Sequence, residues 1–246
     1  MLALEWLKNA HGIMEKLEAT QLENIKKAAT AMADSIEAGR WVHTFGCGHA
    51  TIPVEEMYPR IGSFVGFHPL CELPLTFFTQ IIGQMGIHQF LFLERTEGYG
   101  QAIMKNYDFD SKDCIWIFSH TGINAVNIDM ALEAKKRGMK VIVYGSAGET
   151  GDKASRHSSG KNLLINNTSI SQYAYDNRWT PENPSARFPR LTTEAVENNT
   201  QTSSVWLPKF WQIAAYICIS IRHITYRATQ LLTNAWMQLL PNIKRK

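Results

Sequence analysis

The chain reads as a doubly wound α/β fold built on a parallel sheet. Three observations carry that reading. Short apolar runs rich in β-branched and aromatic residues, the pattern of strands buried on both faces, occur at residues 41–45, 114–118 and 140–144. Helical periodicity fills the stretches between them. Polar turns bearing glycine follow the strands at 46–50, 119–124 and 145–150, and the carboxyl ends of strands are where open α/β sheets bind ligands.

Taken in order, residues 2–38 carry two apolar stripes. Leu4, Leu7, Ile13, Met14 and Leu17 mark one, and Leu22, Ile25, Ala29, Met32 and Ile36 mark the next. They predict a helical hairpin closed by Gly39. The strand at 41–45 runs into Gly46-Cys47-Gly48-His49, and a helix follows with Glu55, Glu56, Met57 and Arg60. A second strand is expected at 63–67, ending at the His68-Pro69 break. Residues 75–107 read as an interrupted helical region with Gly83, Gly86, Gly98 and Gly100 as weak points. The stretch 114–144 is a strand, a hydroxyl-rich turn, a helix through Ile128, Ala131, Leu132 and Ala134, a Gly138 cap and a strand. That is a right-handed βαβ unit. Residues 163–166 read as a short fifth strand. Residues 174–200, with Pro181, Pro184 and Pro189, read as an irregular connection, and 212–240 as helical. There is no internal repeat and no low-complexity run.

The 246 residues, 45% hydrophobic and 19% charged, suit one large globular domain or two small ones. No run approaches the roughly 18 uncharged apolar residues of a membrane span. The first 16 residues lack the basic start and small-residue cleavage site of a signal peptide. The 4 cysteines form no CxxC pair, which predicts reduced thiols in a cytoplasmic protein. The net charge of +3 is uneven: residues 198–246 hold 6 basic and no acidic residues, so the first 197 carry −3. All 16 glycines lie at or before Gly160. These shifts divide the chain into N-terminal helices (1–38), an α/β core (39–165) and an atypical C-terminal region (166–246).

Two turns carry the chemistry. Gly46-Cys47-Gly48 lets backbone approach a ligand closely, because glycine has no side chain and tolerates positive φ. A dinucleotide fingerprint would need a third glycine, which is absent. Ser119-His120-Thr121-Gly122-Ile123-Asn124 places paired hydroxyls and backbone N–H groups at the positive end of the following helix, a site suited to a phosphate. Its purely structural reading is a helix cap formed by Thr121 or Asn124.

Together the motifs FGCGHA and IFSHTGINAVNIDMALEAKKRGMKVIVY resemble the SIS (sugar isomerase) domain family. EEMYPRIG, LERTEGYGQAI and SRHSSGK look like an uncharacterised bacterial branch of that family near phosphoheptose isomerase. The resemblance spans residues 2–161. It implies a three-layer, flavodoxin-like sandwich with a five-stranded parallel sheet, a phosphorylated sugar as ligand, and a homodimer. Carried over by position, Ser119, Thr121, Gly122 and Asn124 would hold the phosphate, and Gly46, Cys47, Gly48 and His49 would line the sugar. Thr121 stands where serine is usual, Ala50 where this branch tends to have serine, and Arg60 where phosphoheptose isomerase and a related etherase carry a key glutamate. The etherase mechanism therefore does not transfer.

The function implied is aldose–ketose isomerisation of a sugar phosphate; the alternative is a non-catalytic sugar-phosphate binding or sensing module. Isomerisation needs a base and a ring-opening group. The candidate bases are Glu55, Glu56, Glu94 and Glu97, with His157 for ring opening or proton shuttling. Some members of the family bind zinc, but the spacing of Cys47, His49 and His157 supports no metal site, and no cofactor is expected. Neither nucleic acid nor a membrane is an expected partner. Beyond Lys161 the resemblance stops, and the loss of glycine and acidic residues reads as divergence or as a shift of reading frame.

Overall fold

The computed structural model describes residues 2–58, 61, 65–76, 86–145, 154–164 and 172–174. It begins with α1, Leu2–Glu37, a single helix of 36 residues rather than the expected hairpin. No proline interrupts this stretch, and Gly12, whose Cβ position meets nothing within 4 Å, lowers helix propensity without breaking the helix. The two apolar stripes thus lie on one rod. Its second half packs on the sheet: Ala28, Ala31 and Met32, flanked by Ile25 and Ile36, cover Val42, Cys114, Trp116, Phe118 and Ile142. Gly39 at φ 72° ends it, with Arg40 N–H donating to Ser35 O and Gly39 N–H to Ile36 O, both at 2.9 Å. That paired closure needs a left-handed residue.

The strands are β1 (Val42–Gly46), β2 (Phe67–Pro69), β3 (Cys114–Phe118) and β4 (Lys140–Gly145), all parallel in the order β2-β1-β3-β4. β1 and β3 are buried at every position, which is why they read as continuous apolar runs. β2 lies later than the sequence suggests and includes His68-Pro69. Pro69 sits opposite Thr44, and among the described residues β2 has no outer neighbour that would need its missing N–H. The three residues Gln172–Ala174 (β5) run parallel beside β4. Of the strand expected at 163–166, Leu163 and Leu164 form a turn buried in the core, where they cover the end of β4, and 165–166 lie outside the described residues.

The second face of the sheet, with Phe45, Ile115, Ile117, Val141 and Val143, is covered by three further helices: α4 (Gly86–Leu93), α5 (Tyr99–Met104) and α6 (Ala125–Lys136). Two short helices, α2 (Ile52–Glu56) and α3 (Leu73–Thr76), follow β1 and β2. The interrupted helical region expected at 75–107 is thus parts of α3, α4 and α5, with residues 77–85 outside the described ones. α5 approaches α6 at Gly100, where a Cβ would lie 2.6 Å from both Asp129 Cβ and Val126 O. Among the described residues no helix is long and apolar enough to cross a membrane.

At the amino ends of the strands a polar cluster is buried. Asp113 receives Arg40 on both oxygens (3.0 and 2.9 Å) and the N–H groups of Trp41 and Asp110. Burial pushes its carboxyl up, but these donors outweigh it and hold it at about 2. Beside it the Nδ1 atoms of His43 and His68 meet at 2.9 Å, and burial lowers His43 to about 4.

Candidate functional site

From β1 the chain crosses to β2 on one side, then returns to place β3 on the other. The crevice between the carboxyl ends of β1 and β3 is therefore the topological switch point, the expected ligand position in such sheets. Both predicted turns open onto it.

The first turn follows β1. A side chain on Gly46 would overlap Ala50 O, and one on Gly48, at φ +58°, would sit 2.7 Å from the Phe90 ring. Glycine at these two points lets the chain fold tightly into a 3-10 turn, Gly48–Thr51, and then α2. Thr51 Oγ1 donates to Gly48 O at 2.6 Å. The Cys47 thiol points inward, its Sγ 3.6 Å from Asn127 Oδ1; burial, and secondarily the charge of Glu94, push it up. His49 is exposed.

The second turn follows β3. Ser119 N–H donates to Tyr144 O at 2.8 Å, and Ser119 Oγ accepts from Gly122 N–H (3.2 Å) and Asn127 Nδ2 (3.3 Å). Gly122 has φ +69°, and its carbonyl accepts from Leu163 N–H at 3.0 Å. Thr121 is half-buried. Asn124 occupies the N-cap position of α6 but makes no side-chain cap bond. Its amide is used sideways instead: Nδ2 donates to Glu94 Oε2 at 2.8 Å, and Oδ1 accepts from Arg156 Nη1 at 2.6 Å. Asn127 joins the two turns, taking the Cys47 thiol on its oxygen and giving its nitrogen to Ser119.

The loop 154–164 lies against the second turn. Arg156 N–H donates to Ile123 O at 2.9 Å. His157 Nδ1 accepts from Ser159 N–H at 3.0 Å, which leaves the neutral ring's proton on Nε2, 3.2 Å from Asp129 Oδ1. Asp129, fully buried, also accepts from Gly98 N–H (2.7 Å) and Gln101 Nε2 (3.3 Å). Glu97 is exposed and accepts both the N–H and the hydroxyl of Ser158, which lower its carboxyl.

The carboxylates are thus distributed. Glu94, 6% exposed, abuts the second turn; burial raises it, against the pull of Arg95, Arg156 and Asn124. Glu55 lies on α2, raised by burial and 3.5 Å from the Thr51 hydroxyl, while Glu56 is exposed. Arg60, the turn at 146–150 and nearly all of 166–246 fall outside the described residues. Sequence reasoning missed Asn127, Asp129 and Arg156. The signal for the first two was polar residues at buried positions of an otherwise apolar helix.

A parallel α/β sheet with a glycine turn and a hydroxyl turn at its switch point defines a class, and comparison with known proteins agrees. Residues 5–146 match the SIS domain, more than half of the chain, and the chain belongs to the SIS domain family. Within it, the chain is 37% identical over 162 residues to a UPF0309 protein of Thermoanaerobacter pseudethanolicus, covering 65% of this chain and 63% of that one. It is 34% identical over 167 residues to a UPF0309 protein of a Geobacillus species, covering 64% and 65%. A third, from Oceanobacillus iheyensis, is 33% identical over 182 residues, covering 74% and 70%. The chain spans slightly less than two thirds of the length of the first two. Among solved structures, phosphoheptose isomerases of Francisella tularensis and Neisseria gonorrhoeae are similar over 61% of this chain and 75% and 76% of theirs, at 15% identity and a TM-score of 0.45.

Proposed function

We propose that this protein binds a phosphorylated sugar in the crevice between β1 and β3 and interconverts its aldose and ketose forms. The observation that carries the binding reading is the union of the two turns through Asn127 at the switch point. The phosphate lies over residues 119–124, where the Thr121 hydroxyl, the remaining hydrogen of the Ser119 hydroxyl and the positive end of α6 favour an anion. The sugar extends toward Gly46, Cys47, Gly48 and His49.

Isomerisation moves a proton between adjacent carbons through an enediol, so it needs a base beside those carbons, and one raised above the ordinary carboxylate value takes the proton more readily. Glu94 fits best: it lies beside the second turn, is electrostatically linked to Cys47 of the first, and is raised by burial. Glu55 is the next candidate, also raised by burial. Glu56 is exposed, Glu97 is lowered by Ser158, and His157 is held between Ser159 and Asp129, roles that suit positioning the loop. Those engaged groups, with Arg60 where the resemblance to phosphoheptose isomerase implies a glutamate, favour a second reading: binding without turnover. The free thiols Cys47, Cys71 and Cys114 suit a reducing, cytoplasmic setting, and the family resemblance favours a homodimer, which light scattering tests.

Calorimetric titration with hexose and heptose phosphates, paired with proton NMR in deuterated buffer, tests the proposal. Binding with exchange of the proton beside the carbonyl supports an isomerase; binding without exchange leaves the binding module; a folded protein that binds none of them refutes both.

A further inference from the structure

We propose that Arg156 is the charge partner of the ligand's phosphate and makes the site selective for a phosphate monoester over the same sugar without it; this rests on the phosphosugar reading above. The argument begins with what the hydroxyl turn lacks. Several of its donors are already used inside the protein: Ser119 N–H on Tyr144 O, Gly122 N–H on Ser119 Oγ, and Val126 N–H on Glu94 O. The Ser119 hydroxyl accepts two bonds and keeps one hydrogen to give. Asn124 is held between Arg156 and Glu94, so its amide is committed as well. A carboxylate, Glu94, abuts this turn. A dianion settling here therefore meets a modest set of donors and a neighbouring negative charge, and needs a cation.

Arg156 supplies it. Its main-chain N–H is bonded to Ile123 O at 2.9 Å, so its Cα is fixed over the turn. The surrounding loop is anchored independently, His157 on Asp129, Ser158 on Glu97 and Leu163 N–H on Gly122 O. The base of the side chain is thus rigid, while the residue itself is exposed. The guanidinium rests on Asn124 Oδ1 at 2.6 Å, with the neutral amide as a spacer between it and Glu94. Rotation about the side-chain bonds turns the planar fork from the amide to phosphate oxygens, where it donates two parallel bonds. The phosphate then replaces Asn124 Oδ1 as the acceptor, and no backbone movement is required.

The test uses the full chain, with inorganic phosphate, hexose and heptose phosphates and the unphosphorylated sugars as probes, titrated calorimetrically at low and high salt. Arg156→Ala is expected to weaken binding of inorganic phosphate and sugar phosphates by about 10- to 100-fold, the loss of a charged bond pair. It should flatten the salt dependence and leave the unphosphorylated sugars unaffected. Arg156→Lys should recover part of the loss, because the charge remains without the fork. Ser158→Ala loosens the loop but keeps the guanidinium, and should change affinity less than twofold. Wild-type affinity in Arg156→Ala, alongside weakened binding in Thr121→Ala, overturns the role of Arg156 and leaves the phosphosugar reading standing. A loss in Ser158→Ala equal to that in Arg156→Ala overturns it also, by assigning the effect to loop anchoring. No binding of any phosphate by the folded wild type removes the phosphosugar reading itself.

Discussion

Replacing Ser119 with alanine should damage the fold as well as the site. The hydroxyl is buried and accepts two bonds, from Gly122 N–H at 3.2 Å and Asn127 Nδ2 at 3.3 Å. Alanine offers neither donor a replacement, and a buried donor left unmatched costs about 1–3 kcal/mol. Both bonds are long for N–H···O, so the lower half of that range applies, about 2–4 kcal/mol for the pair. For a chain of this size that corresponds to a fall in melting temperature of about 4–16 °C. Urea denaturation with thermal melting measures it, and the Ser119→Ala/Asn127→Leu double-mutant cycle should show about 1 kcal/mol of coupling. A melting temperature within 1 °C of wild type would mean that the hydroxyl does not hold the turn. Any loss of phosphate affinity in Ser119→Ala must accordingly be compared with this loss of stability.

Gly100→Ala places a Cβ 2.6 Å from Val126 O and Asp129 Cβ, so α5 must move off α6; thermal melting should show a loss of about 1–3 kcal/mol. Asp129→Ala removes the acceptor of Gly98 N–H, Gln101 Nε2 and His157 Nε2, and hydrogen exchange in 154–161 should quicken severalfold while α1 is unchanged. Acid stability should fall in two steps. His43, lowered to about 4 by burial, stays neutral while the unfolded chain gains a proton, so stability declines as pH drops from about 6.5 to 4; His43→Phe should shrink that step, leaving the part due to His68, which burial also lowers. Asp113, held at about 2 against an ordinary 3.8, stabilises the fold above about 3.8, and that stabilisation is lost as pH falls toward 2; Asp113→Asn should flatten this limb in acid denaturation.

The sheet's centre was legible because strands buried on both faces leave little latitude in composition: 114–118 and 140–144 read as strands and are strands, and 41–45 is displaced by one residue. Gly39 and Gly138 were legible as helix ends because both take positive φ. The edge was harder. β2 has three residues and contains a proline, a pattern that fits a strand beyond which none of the described residues pairs. The single helix α1 was hidden by a change of apolar phase near Thr20, which reads as a hairpin although one helix runs through it. At the candidate site, the two turns could be recognised because glycine and hydroxyl residues follow strands. The side chains that unite them could not, since Asn127 and Asp129 interrupt an apolar helix face and Arg156 lies in a loop whose partner is fixed only by folding.

The amino-terminal half of α6 is the element on which the site turns. Asn124 bridges α4 and the loop 154–164 through Glu94 and Arg156. Asn127 bridges the turns after β1 and β3. Asp129 bridges the start of α5 and the same loop through Gly98 and His157. Three polar side chains within six positions thus gather segments that lie far apart in sequence. Asn127 and Asp129 are buried and would be costly there without their partners, so they are stable only when those segments are in place. The cluster at the other end of the sheet differs in kind: Asp113 and Arg40 satisfy one another. Around α6 some capacity remains, in the Ser119 hydroxyl hydrogen and in the fork of Arg156. A ligand that uses both exploits groups already held in position by bonds it does not have to break, apart from one between Arg156 and Asn124. The cost of ordering the site is then met largely on folding, which is the arrangement expected of a binding site rather than of a packing core.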